Sequence, residues 1–382
     1  MNSDQPRTRT SRAGTNDQAF DALLEQIRSL VQSARKTAAT SINSLQVITS
    51  FEIGRMIVEH EQQGIQRAKY GQRVLKTLSD RLTAEFGRGF SRSNLQNMRL
   101  FFLAYHDRLP PKCQMPSGKL TGEKSQTASG ASTFAASPAR PDQQPPFQLS
   151  WSQYVFLLSI ADTNERDFYE IESVTNGWTL PELRRQFNSS LYERLALSRN
   201  KNEVRRLAQV GQIVSNPKDL MKEPYVLEFL GIDEKATYSE SDLETAIIDK
   251  LGHFLLELGK GFLFEARQKR FTFDDDHFFV DLVFYNRLLR CYVLIDLKIG
   301  RLTHQDLGQM QMYVNYFDRY VKTPDEHPTV GMILCKQKRT ALVELTLPKD
   351  ANIHASQYQL YLPSKEDLKQ RLLEWAGEED EQ

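Results

Sequence analysis

Cysteine is scarce in this chain, and its few copies are scattered. The 382 residues include only Cys113, Cys291 and Cys335, and no two of them form a CxxC pair. Such isolated cysteines are typical of proteins from a reducing compartment and argue against a structural zinc site. The seven histidines likewise lack the spacing of metal ligands. We therefore expect neither a disulfide framework nor a zinc centre.

Long apolar runs and the common nucleotide and hydrolase motifs are also absent. No apolar run approaches the ~20 residues that a bilayer-spanning helix needs, and the polar N-terminus has no hydrophobic stretch like that of a signal peptide. These absences predict a cytoplasmic protein that makes no membrane contact. The sequence contains no P-loop, no GxGxxG after a strand and no GxSxG, which argues against P-loop ATPases, dinucleotide-binding enzymes and serine hydrolases.

A net charge of +0 conceals an uneven distribution along the chain. Residues 64–112 hold ten Lys and Arg against three Asp and Glu, a local charge of +7, whereas residues 364–382 hold three against seven, a local charge of −4. The basic segment is compatible with a surface that faces nucleic acid. Charge alone favours the simpler interpretation, which is a solvated helix face.

The sequence divides into segments of different composition, which predict an α+β protein with more than one domain. The segments are a disordered tail at 1–16, a helical domain at 17–215, a linker at 216–238, an α/β domain at 239–376 and an acidic tail at 377–382. A further segment, 110–148, interrupts the helical domain. It holds seven of the fifteen prolines and shows no apolar periodicity, so we predict a disordered insertion there.

Two predicted helices joined by a short glycine turn precede this insertion. The first helix ends at Gly87 and Gly89, and Ser91 is a favourable N-cap for the second. The turn and the second helix carry side chains of the types that contact base edges and phosphates: Arg88, Arg92, Asn94, Gln96 and Arg99. A helix-turn-helix that binds DNA is one interpretation. An ordinary pair of helices with a polar outer face is the other, and a role in partner binding also stays open.

The α/β domain shows a helix, three strands, a second helix and a further strand, in that order. The predicted strands cover 262–273, 278–286 and 290–298, and the predicted helices cover 242–258 and 304–320. Two more strands are predicted near 329–335 and 340–346, before a last helix near 364–376.

Two of these apolar strands carry charges at their centres, which is costly unless the charges are paired or bind a metal. Asp281 lies in one strand, and Asp296 and Lys298 lie in the next. A four-residue turn between the strands predicts a hairpin, in which Asp281 faces Asp296. Two carboxylates and the Leu297 carbonyl would then form a hard oxygen site for Mg²⁺. A structural Asp–Lys pair at the end of a strand is the alternative.

Two helices contribute further candidates to this site. Gln309 and Tyr313 lie one turn apart on one face of the helix that follows the strands. Glu244 lies near the start of the first helix of the domain and would be a third carboxylate. Its other interpretation is a capping residue, because Ser241-x-x-Glu244 is itself a capping-box pattern. The Gln–Tyr pair could equally be helix surface or packing.

In this order, Glu244, Asp281, the Asp296-Leu297-Lys298 triplet and the Gln309–Tyr313 pair resemble the PD-(D/E)XK nuclease superfamily, including the Gln–Tyr motif of its RecB-like branch. The chain is more closely similar to the bacterial YhcG-type family. Phrases that resemble that family are RAKYGQRVLKTLSDRLTAEFGRGFSRSNLQNMRLFF (67–102), WSQYVFLLSIADTNERDFYE (151–170), WTLPELRRQFNSSLYERLALS (178–198), FLLELGKGFLFEARQ (254–268), DLVFYNRLLRCYVLIDLKIG (281–300), GQMQMYVNYFD (308–318) and HPTVGMILC (327–335).

The resemblance implies a helical, helix-turn-helix-like or winged-helix-like N-terminal domain, followed by a restriction-endonuclease-like αβββαβ core. It implies that the two aspartates bind metal, that Lys298 is the catalytic lysine, and that Glu244 and the Gln–Tyr pair support them. The chain departs from the family pattern at two positions. Val280 replaces the proline before the first aspartate, and Asp296 stands where YhcG-type proteins usually have Glu.

We therefore expect a Mg²⁺-dependent endonuclease that hydrolyses phosphodiester bonds of DNA, with Mn²⁺ as a substitute cation. A nuclease-fold subunit that binds nucleic acid without cleaving it, within a DNA-processing or defence complex, is the alternative. RNA as the substrate is a weaker alternative. Association with a second copy or with a protein partner stays open, as does the choice between one metal ion and two.

Overall fold

A computed structural model describes residues 13–63, 68–108, 145–199, 201–233, 237–273, 275–348 and 350–378. The chain forms two compact units, Met1–Ser159 and Ile160–Gln382. Most of the predicted tail at 1–16, insertion at 110–148 and acidic tail at 377–382 lies outside the described residues. No helix in the described part combines the length and apolarity that crossing a membrane requires.

The first unit consists of helices. They are α1 (Ala13–Gln63), α2 (Ala68–Phe86), α3 (Arg92–Tyr105) with a 3₁₀ turn at His106–Arg108, and α4 (Trp151–Leu157). The α2–α3 turn contains Gly87 and Gly89, whose φ angles of 79° and 113° favour glycine. The Ser91 side chain then caps α3 by accepting a hydrogen bond from the Asn94 backbone. The predicted glycine turn and N-cap are therefore present.

Aromatic rings form much of the core of this unit. Phe101 contacts Phe147 with ring centroids 5.0 Å apart and Tyr154 at 4.9 Å, and Phe51 packs on Phe147 at 5.5 Å. Phe147 is fully buried, although the sequence pattern assigned it to the insertion at 110–148. Ordered packing therefore resumes before Leu149, because a large ring buried at this point holds the chain against α1 and α3.

The second unit begins with four helices that the sequence pattern assigned to the N-terminal domain. They are α5 (Thr163–Asn176), α6 (Leu180–Asn188), α7 (Leu191–Leu197) and α8 (Lys201–Val210). Buried polar contacts attach them to the α/β domain. Arg194 of α7 is fully buried and pairs with Glu257, and the Gln186 side chain donates to the Leu256 carbonyl at 3.0 Å. The boundary of the compact units therefore differs from the predicted domain boundary at 215.

The predicted linker at 216–238 also belongs to the second unit. It contains 3₁₀ turns at Pro217–Leu220 and Glu228–Leu230, on either side of a short strand, β1 (Tyr225–Val226). Strand β1 pairs in parallel with the last strand of the sheet, Tyr225 lying opposite Tyr358, and Leu227 is fully buried in the core. This segment is therefore one edge of the sheet rather than a spacer.

The remaining elements include both helices and strands. They are α9 (Glu240–Asp249), α10 (Leu251–Leu258), β2 (Phe262–Phe273), β3 (Asp276–Asn286), β4 (Cys291–Arg301), α11 (His304–Tyr320), β5 (Val330–Gln337), α12 (Thr340–Thr346), β6 (Ile353–Gln359) and α13 (Lys365–Glu378). The predicted helix, three strands, helix and strand are all present. The strand predicted near 340–346 is wrong, since that segment forms α12.

The sheet has the strand order β1-β6-β5-β4-β3-β2. Strand β3 pairs antiparallel with both β2 and β4, whereas β4, β5, β6 and β1 run parallel. Helices α9 and α10 cover one face, and α11 covers the other. Strand β4 is central and carries Ile295 and Leu297 toward one core and Leu294 toward the other. Asp296, between them, therefore lies on the face covered by α11.

Candidate active site

Asp281 and Asp296 meet where two neighbouring strands stop pairing. The β3–β4 ladder runs from Asn286–Cys291 to Leu282–Ile295, so Asp281 and Asp296 are the next residues of each strand. Beyond the ladder, Oδ2 of Asp281 accepts a hydrogen bond of 2.9 Å from the backbone N–H of Leu297. The Asp281 side chain thus takes the place of a backbone acceptor beyond the end of the β3–β4 ladder. The predicted hairpin, which brings Asp281 close to Asp296, is therefore present.

Asp296 is the most confined charge of the site, with 2% of its surface exposed. Its pKa is raised to about 7, chiefly by burial and next by the negative charge of Asp281, whereas Lys298 acts to lower it. The ammonium of Lys298 lies 2.9 Å from Asp296 Oδ2. Within the described residues, this buried oxygen accepts no hydrogen bond of good geometry. The positive charge that the protein itself supplies therefore does not fully neutralise the two aspartates.

Lys298 contacts a second carboxylate that sequence reasoning missed. Its Nζ lies 3.6 Å from Oε2 of Glu240, the first residue of α9, and Glu240 Oε1 accepts a weak 3.4 Å hydrogen bond from the Ile299 backbone. Burial alone would lower the pKa of Lys298, but the nearby carboxylates, Asp296 foremost, hold it above its usual value. Lys298 therefore carries a proton at neutral pH in the metal-free protein. No local sequence signal distinguishes Glu240 from other acidic residues of a helix N-terminus.

Glu244 is buried beside the site rather than in the cap of its helix. The alternative interpretation, a capping box at Ser241–Glu244, is wrong, because the N-cap is Ser239 and its partner is Asp242. The Glu244 carboxylate instead pairs with the Arg267 guanidinium and accepts a hydrogen bond from the Gln268 amide. Its charge is therefore already neutralised within the protein.

Gln268 connects two of the predicted carboxylates, and sequence reasoning missed it. Its amide nitrogen donates to Glu244 and also to Oδ1 of Asp281, the latter at 3.0 Å. The residue has a φ of 47°, in the left-handed region that side chains other than glycine and asparagine rarely adopt. Such strain costs on the order of 1–3 kcal/mol and concentrates at functional sites. In the sequence, Gln268 is one of several exposed polar residues of a long strand.

Gln309 and Tyr313 lie on the face of α11 that covers this end of the sheet. The Gln309 amide donates to the Tyr313 hydroxyl, as the spacing of one helical turn predicts. Tyr313 is 1% exposed. Burial raises its pKa, and the negative charges of Asp296 and Asp281 raise it further. The tyrosine is therefore within electrostatic reach of both aspartates, whereas Gln309 is exposed.

The donor set suits a hard divalent cation with several water ligands. Among the described residues, no group of three or more His, Cys, Asp or Glu side chains is arranged to hold a metal. Asp281 and Asp296 would therefore be the only side-chain ligands, with the Leu297 carbonyl as the predicted third donor. Mg²⁺ is commonly held by one or two carboxylates and retains several waters. Oδ2 of Asp296 is buried and, although the Lys298 ammonium is close, accepts no hydrogen bond of good geometry, which fits a role in binding a cation.

The candidate nucleic-acid contacts of the first unit differ in their surroundings. Asn94 is a structural residue, because its amide donates to the Gly89 carbonyl at 2.6 Å and accepts from the Trp151 indole at 2.9 Å. Arg99 pairs with Glu61 at 2.6 Å. Two of the five predicted contacts thus already have partners that stabilise the helices.

The other three predicted contacts are Arg88, Arg92 and Gln96. Arg88 and Arg92 are exposed, and neither has an ion-pair or hydrogen-bond partner within residues 68–108 and 145–159. Gln96 is partly buried. The two arginines therefore remain available for phosphate, and the helix-turn-helix interpretation stays a prediction.

Two family models match the chain. The first is described as the YhcG PDDEXK nuclease domain and covers residues 218–373, and the second is the DUF1016 N-terminal domain and covers residues 26–194. A protein of Escherichia coli (strain K12) named "Putative nuclease YhcG" is 38% identical over 367 residues, which span 93% of this chain and 94% of that protein.

Two solved structures show partial similarity to the chain. A repair endonuclease from Pyrococcus abyssi matches with a TM-score of 0.23 and 16% identity, over 35% of this chain and 50% of that one. A complex of EndoMS with double-stranded DNA matches with a TM-score of 0.24 and 17% identity, over 35% and 49% of the two chains. Both likenesses are too weak to support a conclusion about this protein.

Proposed function

The chain belongs to the YhcG family of PDDEXK nucleases, and from this premise we propose that its second unit hydrolyses phosphodiester bonds of DNA with a divalent cation, Mg²⁺ or Mn²⁺. The observation that carries the proposal is the meeting of Asp281 and Asp296 beside a protonated Lys298. DNA has no 2′-hydroxyl to attack its own phosphate, so its hydrolysis requires an external water. Carboxylates, a cation and a lysine are groups that position and activate such a water.

Asp281, Asp296 and the Leu297 carbonyl would hold the cation. When bound, the cation would neutralise charge on the phosphate and lower the pKa of a bound water. The raised pKa of Asp296 supports this assignment, because a second positive charge would relieve the repulsion between the aspartates. The hydrogen bond from Leu297 and the one from Gln268 fix both oxygens of Asp281 before any ligand arrives.

Lys298 would stabilise charge that develops on the phosphate. Its raised pKa keeps the proton on Nζ, so it acts as a donor and a positive charge rather than as a base. Tyr313 accepts a hydrogen bond from Gln309 and so retains its own hydroxyl proton for donation toward the site. Gln309 is exposed, and it would contact the nucleic-acid backbone.

The second candidate function is nucleic-acid binding without cleavage. It is favoured by the engagement of Glu244 with Arg267 and Gln268, which leaves two side-chain ligands where three acidic residues were expected. A protein of this kind would hold nucleic acid equally well with and without divalent cations.

Cleavage assays separate these functions. The full chain is incubated with plasmid DNA, single-stranded DNA and RNA of the same sequence, with Mg²⁺, with Mn²⁺ or with EDTA. Lys298→Ala should abolish cleavage, whereas Lys269→Ala, which removes a half-exposed lysine of β2, should not. Equal cleavage by wild type and Lys298→Ala would refute the hydrolase proposal. Binding that is undiminished in EDTA, with no cleavage in any cation, would support the second function. Cleavage of RNA alone would show that RNA rather than DNA is the substrate.

A further inference from the structure

A cavity of about 360 Å³ lies between the end of β2 and the outer part of α11. Its volume falls within the range of about 300–1,000 Å³ that is usual for ligand sites. Its aromatic and polar lining residues include Phe271, Phe273, Gln311, Tyr316, Arg319 and Tyr320. None of them belongs to the candidate metal site. Three of the six α11 lining residues that follow Gly308 are aromatic or cationic.

Aromatic rings form two walls of this cavity. Phe271 and Tyr316 stack with centroids 4.1 Å apart and planes inclined by 20°, and Tyr320 packs on Tyr316 at 5.2 Å. Two rings at the mouth face solvent, because Phe273 is 53% exposed and Tyr320 is 64% exposed. Exposed aromatic side chains beside a stacked pair offer flat surfaces to a planar, partly polar ligand.

Polar groups at the rim suit the edge and the phosphate of a nucleotide. The Gln311 amide donates to Oδ1 of Asn315 at 3.1 Å, which leaves the Gln311 oxygen and the Asn315 amide protons for a ligand. Arg319 is exposed and has no ion-pair partner within residues 237–273 and 275–348. Amide groups read base edges in unpaired nucleic acid, and arginine pairs with phosphate.

The cavity adjoins the candidate active site. Phe271, which forms its inner wall, also contacts the Tyr313 ring edge-on with centroids 5.5 Å apart. Tyr313 is the residue whose pKa the two aspartates raise. A nucleic-acid strand that runs along α11 to the aspartates therefore passes this cavity.

We propose that this cavity binds an unpaired nucleobase of the strand that enters the active site. The inference rests on the proposed function and narrows it to substrates with single-stranded or unpaired segments. Only an unpaired base exposes both a face for stacking and an edge for hydrogen bonds, because bases within a duplex already stack on their neighbours and pair. Arg319 is the cationic side chain of the lining, so the phosphate backbone would lie toward it.

Gly308 provides a way to fill the cavity without damaging the protein. It lines the cavity, and a Cβ placed on it would meet no atom within 4 Å. A leucine at this position would occupy ligand space only. Glycine within a helix is less favourable than alanine by about 1 kcal/mol, so a larger side chain should not destabilise α11.

The test measures binding of a fluorescent oligonucleotide to the full chain in EDTA, where hydrolysis does not proceed. The ligands are a single strand, a blunt duplex of the same sequence, and the single strand with abasic sites. Tyr320→Ala and Gly308→Leu should each weaken single-strand binding by about 5- to 150-fold, the value of one stacked base. Both should leave duplex and abasic-strand binding unchanged. Tyr361→Ala removes a 47% exposed tyrosine outside the cavity and is the matched control.

Several outcomes would overturn the proposal. They are equal losses on duplex and single strand, losses that persist on the abasic strand, no loss in either variant, and no binding by the wild type. A Gly308→Leu protein that becomes monomeric by light scattering while binding DNA normally would show that the cavity is a contact between copies.

The binding result is independent of hydrolysis. If Tyr320→Ala weakens single-strand binding but no cleavage occurs, only the proposed hydrolase is refuted. If Lys298→Ala abolishes cleavage but Tyr320→Ala leaves binding unchanged, only this inference is refuted.

Discussion

Asp281 accepts a hydrogen bond from the backbone N–H of Leu297, across the gap where strands β3 and β4 stop pairing. This bond uses only the protein's own groups to place a carboxylate beside Asp296. Its cost is repulsion between two acidic groups, which adds to burial in raising the pKa of Asp296. The predictions below separate the groups that create the site from those that stabilise the fold.

Replacement of Asp281 by asparagine should separate charge from geometry. The asparagine oxygen can still accept the Leu297 N–H, so the fold should be retained, and the loss of a like charge should lower the pKa of Asp296. Mn²⁺ affinity, measured by calorimetry, should fall at least tenfold, which is about 1.4 kcal/mol. Asp276→Asn, at the exposed start of the same strand, should change nothing. Unaltered Mn²⁺ affinity in Asp281→Asn would remove this residue from the ligand set.

Gln268→Gly should uncouple stability from metal binding. Glycine adopts a φ of 47° without strain, so the melting temperature should be unchanged or higher. The lost amide no longer holds Asp281, so Mn²⁺ affinity should fall several-fold. Lys269→Gly is the matched control, because its backbone is extended and glycine there should lower stability by roughly 0.5–1 kcal/mol. Equal melting shifts in both variants would argue that Gln268 has no special conformation.

Arg92→Ala and Arg99→Ala should differ, although both arginines lie on α3. Arg99 pairs with Glu61, so its loss should reduce stability and leave DNA binding little changed. Arg92 is exposed, so its loss should leave the melting temperature unchanged. If the first unit binds DNA, the slope of log affinity against log salt should fall by about one in Arg92→Ala. Identical salt slopes for wild type and Arg92→Ala would refute the phosphate contact.

Glu257 should make the second unit sensitive to acid. Burial alone would raise its pKa, but Arg194, Lys222 and Arg185 outweigh burial and lower the pKa from 4.5 to about 2. A lowered folded-state pKa stabilises the protein above about pH 4.5, and this stability is lost as the pH falls toward 2. At about 1.4 kcal/mol for each pH unit, the contribution is about 3 kcal/mol.

Urea unfolding of wild type and Glu257→Gln at several pH values tests this contribution. At pH 7 the variant should be less stable by roughly 3–5 kcal/mol, because it leaves buried cations without a countercharge. The difference should narrow by about 3 kcal/mol between pH 5 and pH 2. Exposed Glu344→Gln should follow the wild type. A difference that stays constant with pH would show that Glu257 is not ionised by its neighbours.

The central hairpin of the site could be predicted because local rules govern it. The turn between β3 and β4 is short, and side chains alternate along a strand, so pairing Asn286 with Cys291 sets every later pair. Asp281 then comes opposite Asp296 without any information from elsewhere in the chain. Gln309 and Tyr313 are likewise related by one turn of a single helix.

Other predictions were wrong where tertiary contacts override local preference. Residues 340–346 are rich in β-forming Val and Thr, yet they form α12. Residues 225 and 226 were assigned to a linker, yet they pair with β6, which lies more than 130 residues later. A two-residue strand carries no periodic signal, so its pairing could not be read from the sequence.

The sequence by itself determined the composition of the candidate site, because hydrophobic periodicity and a short turn act between near neighbours. It contained the two aspartates, the lysine and the Gln–Tyr pair at the spacings that bring them together. Only the tertiary structure decided the partners of these groups. It placed Glu240 beside Lys298, tied Glu244 to Arg267, and turned Gln268 toward Asp281. Glu240 lies 58 residues from Lys298 along the chain, and Gln268 takes an unusual backbone angle, so each depends on packing of the complete sheet against its helices.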